Sequence, residues 1–165
     1  MQILNSREIE QKIKRLSYEI LENNYQEKEI ILAGINNNGL NFAKLLEKQL
    51  KKLTEVKITL TSILLNPAKP LASEVLLKLP VEGVKNKVVI IVDDVANTGR
   101  TLFFATKPLF ETLPKKVEIA VLVERHHKSF PMKVDYVGLS LATTLQENID
   151  VQFPRKKADW GVFMN

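Results

Sequence analysis

Five consecutive β-branched residues, Val88 to Val92, constrain this chain more than any other stretch. Branching at Cβ disfavours helix, and an unbroken apolar run, unlike an alternating one, keeps no polar face for water. The run reads as a strand covered on both faces, as in a parallel sheet held between helices. Other segments agree. "EIILAGI" is a second short apolar run, "KVEIAVLVE" another buried strand, "VKITLTSIL" alternates like a strand, and "DYVGLSL" makes one more. Between them lie helical patterns. Ile9, Ile13, Leu16 and Ile20 recur at helical spacing behind a capping-box pair, Asn5 and Glu8, and "LNFAKLLEKQLKKL" repeats the period. "GRTLFFATKPLFETL" predicts a further helix that Pro108 kinks or restarts. "NNNG" and "NPAKP" read as turns, and "EVLLKLPVEGVKNK" has no defined pattern. Strands alternating with helices predict an α/β fold, a central mostly parallel sheet flanked by helices, with its ligand at the carboxyl ends of the strands. Residues 1–165 are expected to form one domain, since no linker, repeat or low-complexity tract divides them.

Composition narrows the function classes. The absence of cysteine excludes a disulfide framework and thiolate metal sites, and no apolar run is long enough to span a bilayer. With no secretory pattern in "MQILNSREIEQKIKR", a cytoplasmic protein with no membrane partner is expected. The formal net charge of +5 suits a phosphate or nucleic-acid ligand, although most lysines simply solvate a surface.

The apolar run ends in Asp93 and Asp94, and Thr98-Gly99-Arg100-Thr101 follows where the next helix begins. Backbone N–H groups at a helix start attract phosphate, glycine lets the backbone approach closely, and two threonine hydroxyls can donate to its oxygens. The carboxylates suit sugar hydroxyls, met directly or through magnesium-bound water. The implied ligand is a ribose carrying a terminal phosphate. A Walker B segment would need a G-x-x-x-x-G-K-[ST] loop, which the chain lacks, and a phospho-acceptor receiver would carry its acidic pair near the first strand.

"VDDVANTGRTL" resembles, along its whole length, the phosphoribosyl-pyrophosphate motif of the type I phosphoribosyltransferases. Within that superfamily "VEIAVLVERHHKSFPMKVDYVGLSLATT" is similar to the bifunctional pyrimidine-operon attenuator and uracil phosphoribosyltransferase proteins. The resemblance implies a type I phosphoribosyltransferase-like fold. It implies that Asp93 and Asp94 are the catalytic pair and meet the ribose hydroxyls, and that Ala96, Asn97, Thr98, Gly99, Arg100 and Thr101 hold the ribose phosphate. It makes Ile35, Asn36, Asn37, Asn38 and Gly39 the pyrophosphate loop, and places Arg125 and the segment near Val151 at the base pocket. Implied partners are phosphoribosyl pyrophosphate, uracil or UMP, a leader mRNA, and further copies of the chain in a homodimer or higher oligomer. The implied cofactor is Mg2+, held mainly through ligand and water. The implied reaction transfers the phosphoribosyl group to uracil with release of pyrophosphate. Alternatives of the same fold are a nucleotide-sensing RNA-binding attenuator with weak or no transferase activity, and a transferase for another base.

Two stretches depart from the resembled pattern. The pyrophosphate loop of the family commonly carries basic residues, as in Gly-Ile-Lys-Thr-Arg-Gly, where this chain has three asparagines, so charge assistance to the leaving group is lost. A Tyr-Arg-Asp-Asp-like mobile loop is replaced by Leu64 to Pro70, with Lys69 its only cation. His126 and His127, read as adjacent strand residues, point to opposite faces and suit no shared ion. Trp160 reads as packing. Lys44, Lys48, Lys51, Lys52 and Lys57 form a lysine-rich region that would meet RNA phosphates or merely solvate a helix.

Overall fold

The computed structural model describes residues 1–165. Its elements run β1 (Gln2–Asn5), α1 (Ser6–Asn24), β2 (Glu29–Ile35), α2 (Asn36–Leu53), β3 (Lys57–Leu64), β4 (Leu76–Leu77), β5 (Val88–Ala96), α3 (Arg100–Ala105), β6 (Lys116–Arg125), β7 (Tyr136–Leu141), β8 (Ile149–Gln152) and β9 (Gly161–Met164). Six strands form one sheet in the order β4-β3-β2-β5-β6-β7, parallel throughout except for β4. The β-branched run thus lies in a central strand. Its residues divide by parity between two cores: Val88, Ile90 and Val92 join α1 and α2 on one face, whereas Val89 and Ile91 join Leu102, Ala105 and Leu109 on the other. This is why the stretch shows no alternation. Fully burying each such side chain contributes roughly 1.5–3 kcal/mol.

α1 starts as its sequence dictates. The Asn5 side chain accepts from the Glu8 amide at 3.0 Å, and the Glu8 carboxylate accepts from the Asn5 amide at 2.8 Å. Its stripe of Ile9, Ile13, Leu16 and Ile20 is buried. At its far end the buried Glu118 carboxylate accepts from Tyr136 Oη at 2.8 Å and Asn24 Nδ2 at 2.9 Å, joining α1 to β6 and β7.

Two expectations are corrected, the turn at "NNNG" and the strand at the histidines, and two open ones are resolved. "NNNG" is no separate turn: α2 begins at Asn36, whose φ of 50° turns the chain directly from β2 into the helix. The helix after Gly99 ends at Ala105, and the expected restart at Pro108 is a 3-10 turn over Lys107–Glu111, with the proline in its first turn. The patternless connection supplies the short antiparallel β4 and a 3-10 turn at Val81–Gly83. Finally, β6 ends at Arg125, so both histidines lie beyond the strand: His126 Nε2 pairs with Ser140 Oγ at 2.7 Å, and His127 Nε2 with the Thr143 carbonyl.

A second antiparallel sheet, β1-β9-β8, has no counterpart in the sequence reading. It joins the first and last strands, and its Leu4 and Val162 enter the α1–α2 core. Phe153, just after β8, stacks on Phe42 of α2 with ring centroids 6.3 Å apart and meets Trp160 edge-on at 5.6 Å. The indole N–H donates to the Pro154 carbonyl at 3.0 Å, so Trp160 packs the end of the chain. No helix is long and apolar enough to cross a membrane.

Candidate active site

The carboxyl ends of β2 and β5 lie side by side, with Gly34 opposite Val92. That register brings the Asn36–Gly39 stretch to Asp93. The contact is close: a Cβ on Gly39 would stand 2.5 Å from the Val92 carbonyl and 3.3 Å from Asp93 Oδ1, so only glycine admits this packing.

Asp93 is buried and Asp94 half-buried, both inside β5 rather than after it. Adjacent strand residues project to opposite sides. Asp93 lines a small cavity of about 40 Å³ together with residues 95–102, whereas Asp94 senses the charge of Asp150 on β8. Asp93 Oδ1 accepts from the Asp94 amide at 2.9 Å and Asp94 Oδ1 from the Val95 amide at 3.0 Å. Burial, then the neighbouring Asp94 charge, pushes the Asp93 carboxyl well above the usual carboxylate range. Burial also raises Asp94, against hydrogen bonds that favour its charged form. An apolar strand interior thus delivers two carboxyls that hold on to a proton, a state that a cation or a hydroxyl-rich ligand would reverse.

The loop after β5 is built around Gly99, at φ 85°, in the left-handed region that side chains resist. The Thr98 carbonyl accepts from the Ser129 and Phe130 amides at 2.9 and 3.1 Å, and Thr98 Oγ1 accepts from the Arg100 amide at 3.3 Å. Asn97 presents its side-chain oxygen to Arg125 Nη1 at 3.1 Å and its carbonyl to Lys128 at 3.2 Å. Ala96 is buried and Thr101 half-buried beside them. The loop is therefore fixed by the segment following β6, whose Ser129, Phe130 and Lys128 sequence reasoning missed; carbonyl partners of this kind leave no mark on composition.

Arg125 is buried with every nitrogen engaged: Nε donates to Thr143 Oγ1 at 2.7 Å, Nη2 to the Thr144 carbonyl at 2.7 Å, and Nη1 to Asn97. It ties the loop after β5 to the connection between β7 and β8. Val151 is half-buried on β8, opposite Val162 of β9, and β8 packs against β5.

Ile35, the last residue of β2, is buried, and Asn37 and Asn38 are exposed at the start of α2. Asn36 behaves differently. Its amide clasps the Leu65 backbone in both directions, donating to the carbonyl at 3.0 Å and accepting from the N–H at 3.1 Å. Arg100 reaches the same segment, donating to the Pro67 carbonyl at 2.7 Å. Leu64 to Pro70 is thus fastened to both loops, and Asn66 turns it by accepting from the Ala68 and Lys69 amides. No group of three His, Cys, Asp or Glu side chains could hold a metal.

A cradle of about 40 Å³ beside the buried Asp93 carboxyl, at the carboxyl edge of a parallel sheet, agrees with what comparison finds. The family model described as the phosphoribosyl transferase domain matches residues 1–156. The chain belongs to this family. The phosphoribosyltransferase-family chain is 32% identical over 160 residues to a protein of Streptomyces coelicolor named "Bifunctional protein PyrR", covering 91% of this chain and 81% of that protein. It is 34% identical over 146 residues to the protein of that name from Streptococcus sanguinis, covering 85% and 83%. Among solved structures, the hypoxanthine phosphoribosyltransferase of Trypanosoma cruzi superposes with a TM-score of 0.78 at 17% identity, covering 99% of this chain and 94% of that one. A hypoxanthine-guanine phosphoribosyltransferase from Bacillus anthracis gives 0.73 at 19% identity, covering 86% and 82%. At these identities the structures bear out the fold alone, a type I phosphoribosyltransferase fold with a mostly parallel sheet flanked by helices. The family makes the chain a pentosyltransferase.

Proposed function

We propose that this phosphoribosyltransferase joins the phosphoribosyl group of phosphoribosyl pyrophosphate to uracil, forming UMP and releasing pyrophosphate. The observation that carries the reading is the cradle of residues 96–101 set directly beside buried Asp93. The ribose phosphate seats against the left-handed Gly99 turn, where Thr98 and Thr101 supply hydroxyls and the Ser129 and Phe130 amides, by holding the Thr98 carbonyl, keep the turn in shape. Asp93 and Asp94 accept hydrogen bonds from the ribose hydroxyls and, once ionised, favour positive charge on the departing sugar. The pyrophosphate lies across the start of α2, where Asn37 and Asn38 donate neutral hydrogen bonds.

Mg2+ would be held mainly through substrate phosphates and water, with Asp93, which lines the cradle, the carboxylate that would face it. Bound there, the ion would supply positive charge to the leaving group. Arg125, saturated by protein partners, shapes the base-side loop by position, and Val151 on β8 borders that side. The "bifunctional" name of the relatives and the uncharged start of α2 favour a second reading, a nucleotide-sensing, RNA-binding attenuator of the same fold. A homo-oligomer is proposed from the family resemblance.

The test is mass-spectrometric detection of nucleoside monophosphate after incubation with Mg2+, phosphoribosyl pyrophosphate and separately uracil, hypoxanthine, guanine, adenine, xanthine and orotate. UMP formation proportional to protein is expected. Conversion of another base instead overturns the uracil assignment. No conversion by protein that still binds UMP moves the attenuator reading ahead.

A further inference from the structure

A cavity of about 590 Å³ lies outside the crevice above. It lies between α1, α2 and the segment linking β8 to β9, and six cations line it: Arg7 and Lys14 from α1, Lys48 and Lys52 from α2, and Arg155 and Lys157 beyond β8. Against them stands one acid, Glu10, already paired with Lys157. Six basic groups less one acid give the lining a net +5, equal to the formal charge of the whole chain, so the remaining residues balance to zero.

The other five cations form no ion pair and donate no side-chain hydrogen bond within the chain. Some lysines outside the cavity, Lys51, Lys57, Lys87 and Lys115 among them, have a carboxylate partner, and others, such as Lys44 and Lys78, have none. The lysine-rich region divides: Lys51 and Lys57 are paired outside the cavity, and Lys48 and Lys52 line it. Like charges gathered from three elements repel one another, and a concave site focuses their field. A multivalent anion relieves that repulsion.

We infer that this cavity is a second ligand site, for a compact molecule carrying an oligophosphate chain: inorganic oligophosphate or a nucleoside di- or triphosphate. Its volume falls in the range, about 300–1,000 Å³, of sites for small ligands. The charges converge on one concavity instead of extending as a stripe along which a nucleic-acid backbone would track. Nor is there an aromatic platform for bases, because Trp160 is edge-packed by Phe153, hydrogen-bonded through its indole, and has Lys157 Nζ 5.9 Å from its ring centroid. The inference stands apart from the proposed transferase reaction, since none of the cavity's residues lies in the crevice.

The experiment is calorimetric titration of the full chain, at about 0.15 M salt, with inorganic tripolyphosphate and with UTP. It is run on wild type, on K48Q/K52Q, on R155Q, and on D93N/D94N as the crevice control. The expected result is saturable binding to one cavity site per chain, weakened about tenfold or more by K48Q/K52Q. R155Q, on a different element, should weaken it too, and D93N/D94N should leave it. Tighter binding of UTP would assign the nucleoside a role, and equal affinity would assign the phosphates alone. Binding unchanged in both cavity variants, absence of saturable binding, or loss only in D93N/D94N would overturn the inference. So would an RNA oligonucleotide that binds through these same residues while tripolyphosphate fails to compete with it.

Discussion

A carboxyl group buried at the end of an apolar strand is a liability for folding, and Asp93 shows its sign. Its folded-state pKa is raised, chiefly by burial, so the protonated form is the one the fold prefers. The stability tied to that proton is complete below the ordinary carboxylate pKa of about 3.9 and is lost as pH rises through the raised value. Asp93→Asn imitates the protonated group permanently. The variant is expected to be more stable than wild type at neutral pH by about 0.5–2 kcal/mol, the usual return on relaxing a functional site, with the difference vanishing toward pH 4. Thermal unfolding of both proteins across pH checks this; parallel curves would refute it. Asp93→Asn should also abolish the rise in affinity for Mg2+ and phosphoribosyl pyrophosphate that wild type gains as the pair ionises. Gly99 was legible at this scale, because a threonine-flanked glycine at a strand-to-helix junction announces a close approach. The bonds that hold its loop were not. Arg125 to Asn97 and Thr98 to Ser129 join residues that become neighbours only when β5 and β6 lie parallel.

Among elements, β2, β3, β5, β6, β7 and the first two helices follow from periodicity, since β-branched runs and 3.6-residue spacing are properties of a segment alone. The start of α2 does not. "NNNG" has turn composition, yet the left-handed Asn36 and the bare Gly39 let a helix begin at once against Val92 and Asp93. Asn36 serves tertiary structure through its clasp on Leu65, and Asn38 points into the open. The two asparagines should therefore respond oppositely to substitution. Asn36→Ala removes two hydrogen bonds worth about 1 kcal/mol each, and hydrogen exchange should accelerate in residues 65–70 while the core stays protected. Asn38→Arg leaves the clasp intact and adds a charged donor at the pyrophosphate side. Charged hydrogen bonds exceed neutral ones by about 1 kcal/mol, so affinity for pyrophosphate should rise roughly fivefold. An unchanged inhibition constant for pyrophosphate would remove this stretch from the leaving-group site.

At the scale of the whole molecule, two sheets divide the work. The six-stranded sheet supplies the rigid edge on which the cradle and the carboxyl pair sit, and its five parallel strands were readable from the sequence because buried parallel strands are long and apolar. The three-stranded sheet was not, because four-residue strands at opposite ends of a chain show neither period nor proximity until they pair. Yet that small sheet brings β8, with Asp150 and Val151, over the end of β5. Its fastening to the body runs through Phe153, stacked on Phe42 of α2 and braced by Trp160. Phe153 is half-buried, so Phe153→Ala should destabilise the protein by less than the roughly 3–5 kcal/mol of a fully buried phenylalanine, leaving the fold intact. The cradle is held through Thr98 by the loop behind β6, whereas the ring contacts of Phe153 are with Phe42 and Trp160. Loosening the small sheet should therefore raise KM for the nucleobase several-fold while KM for phosphoribosyl pyrophosphate stays within about twofold, the split expected when one side of a site loses its support. Equal increases in both would mean that β8 supports the whole crevice, and no change in either would take the small sheet out of substrate binding.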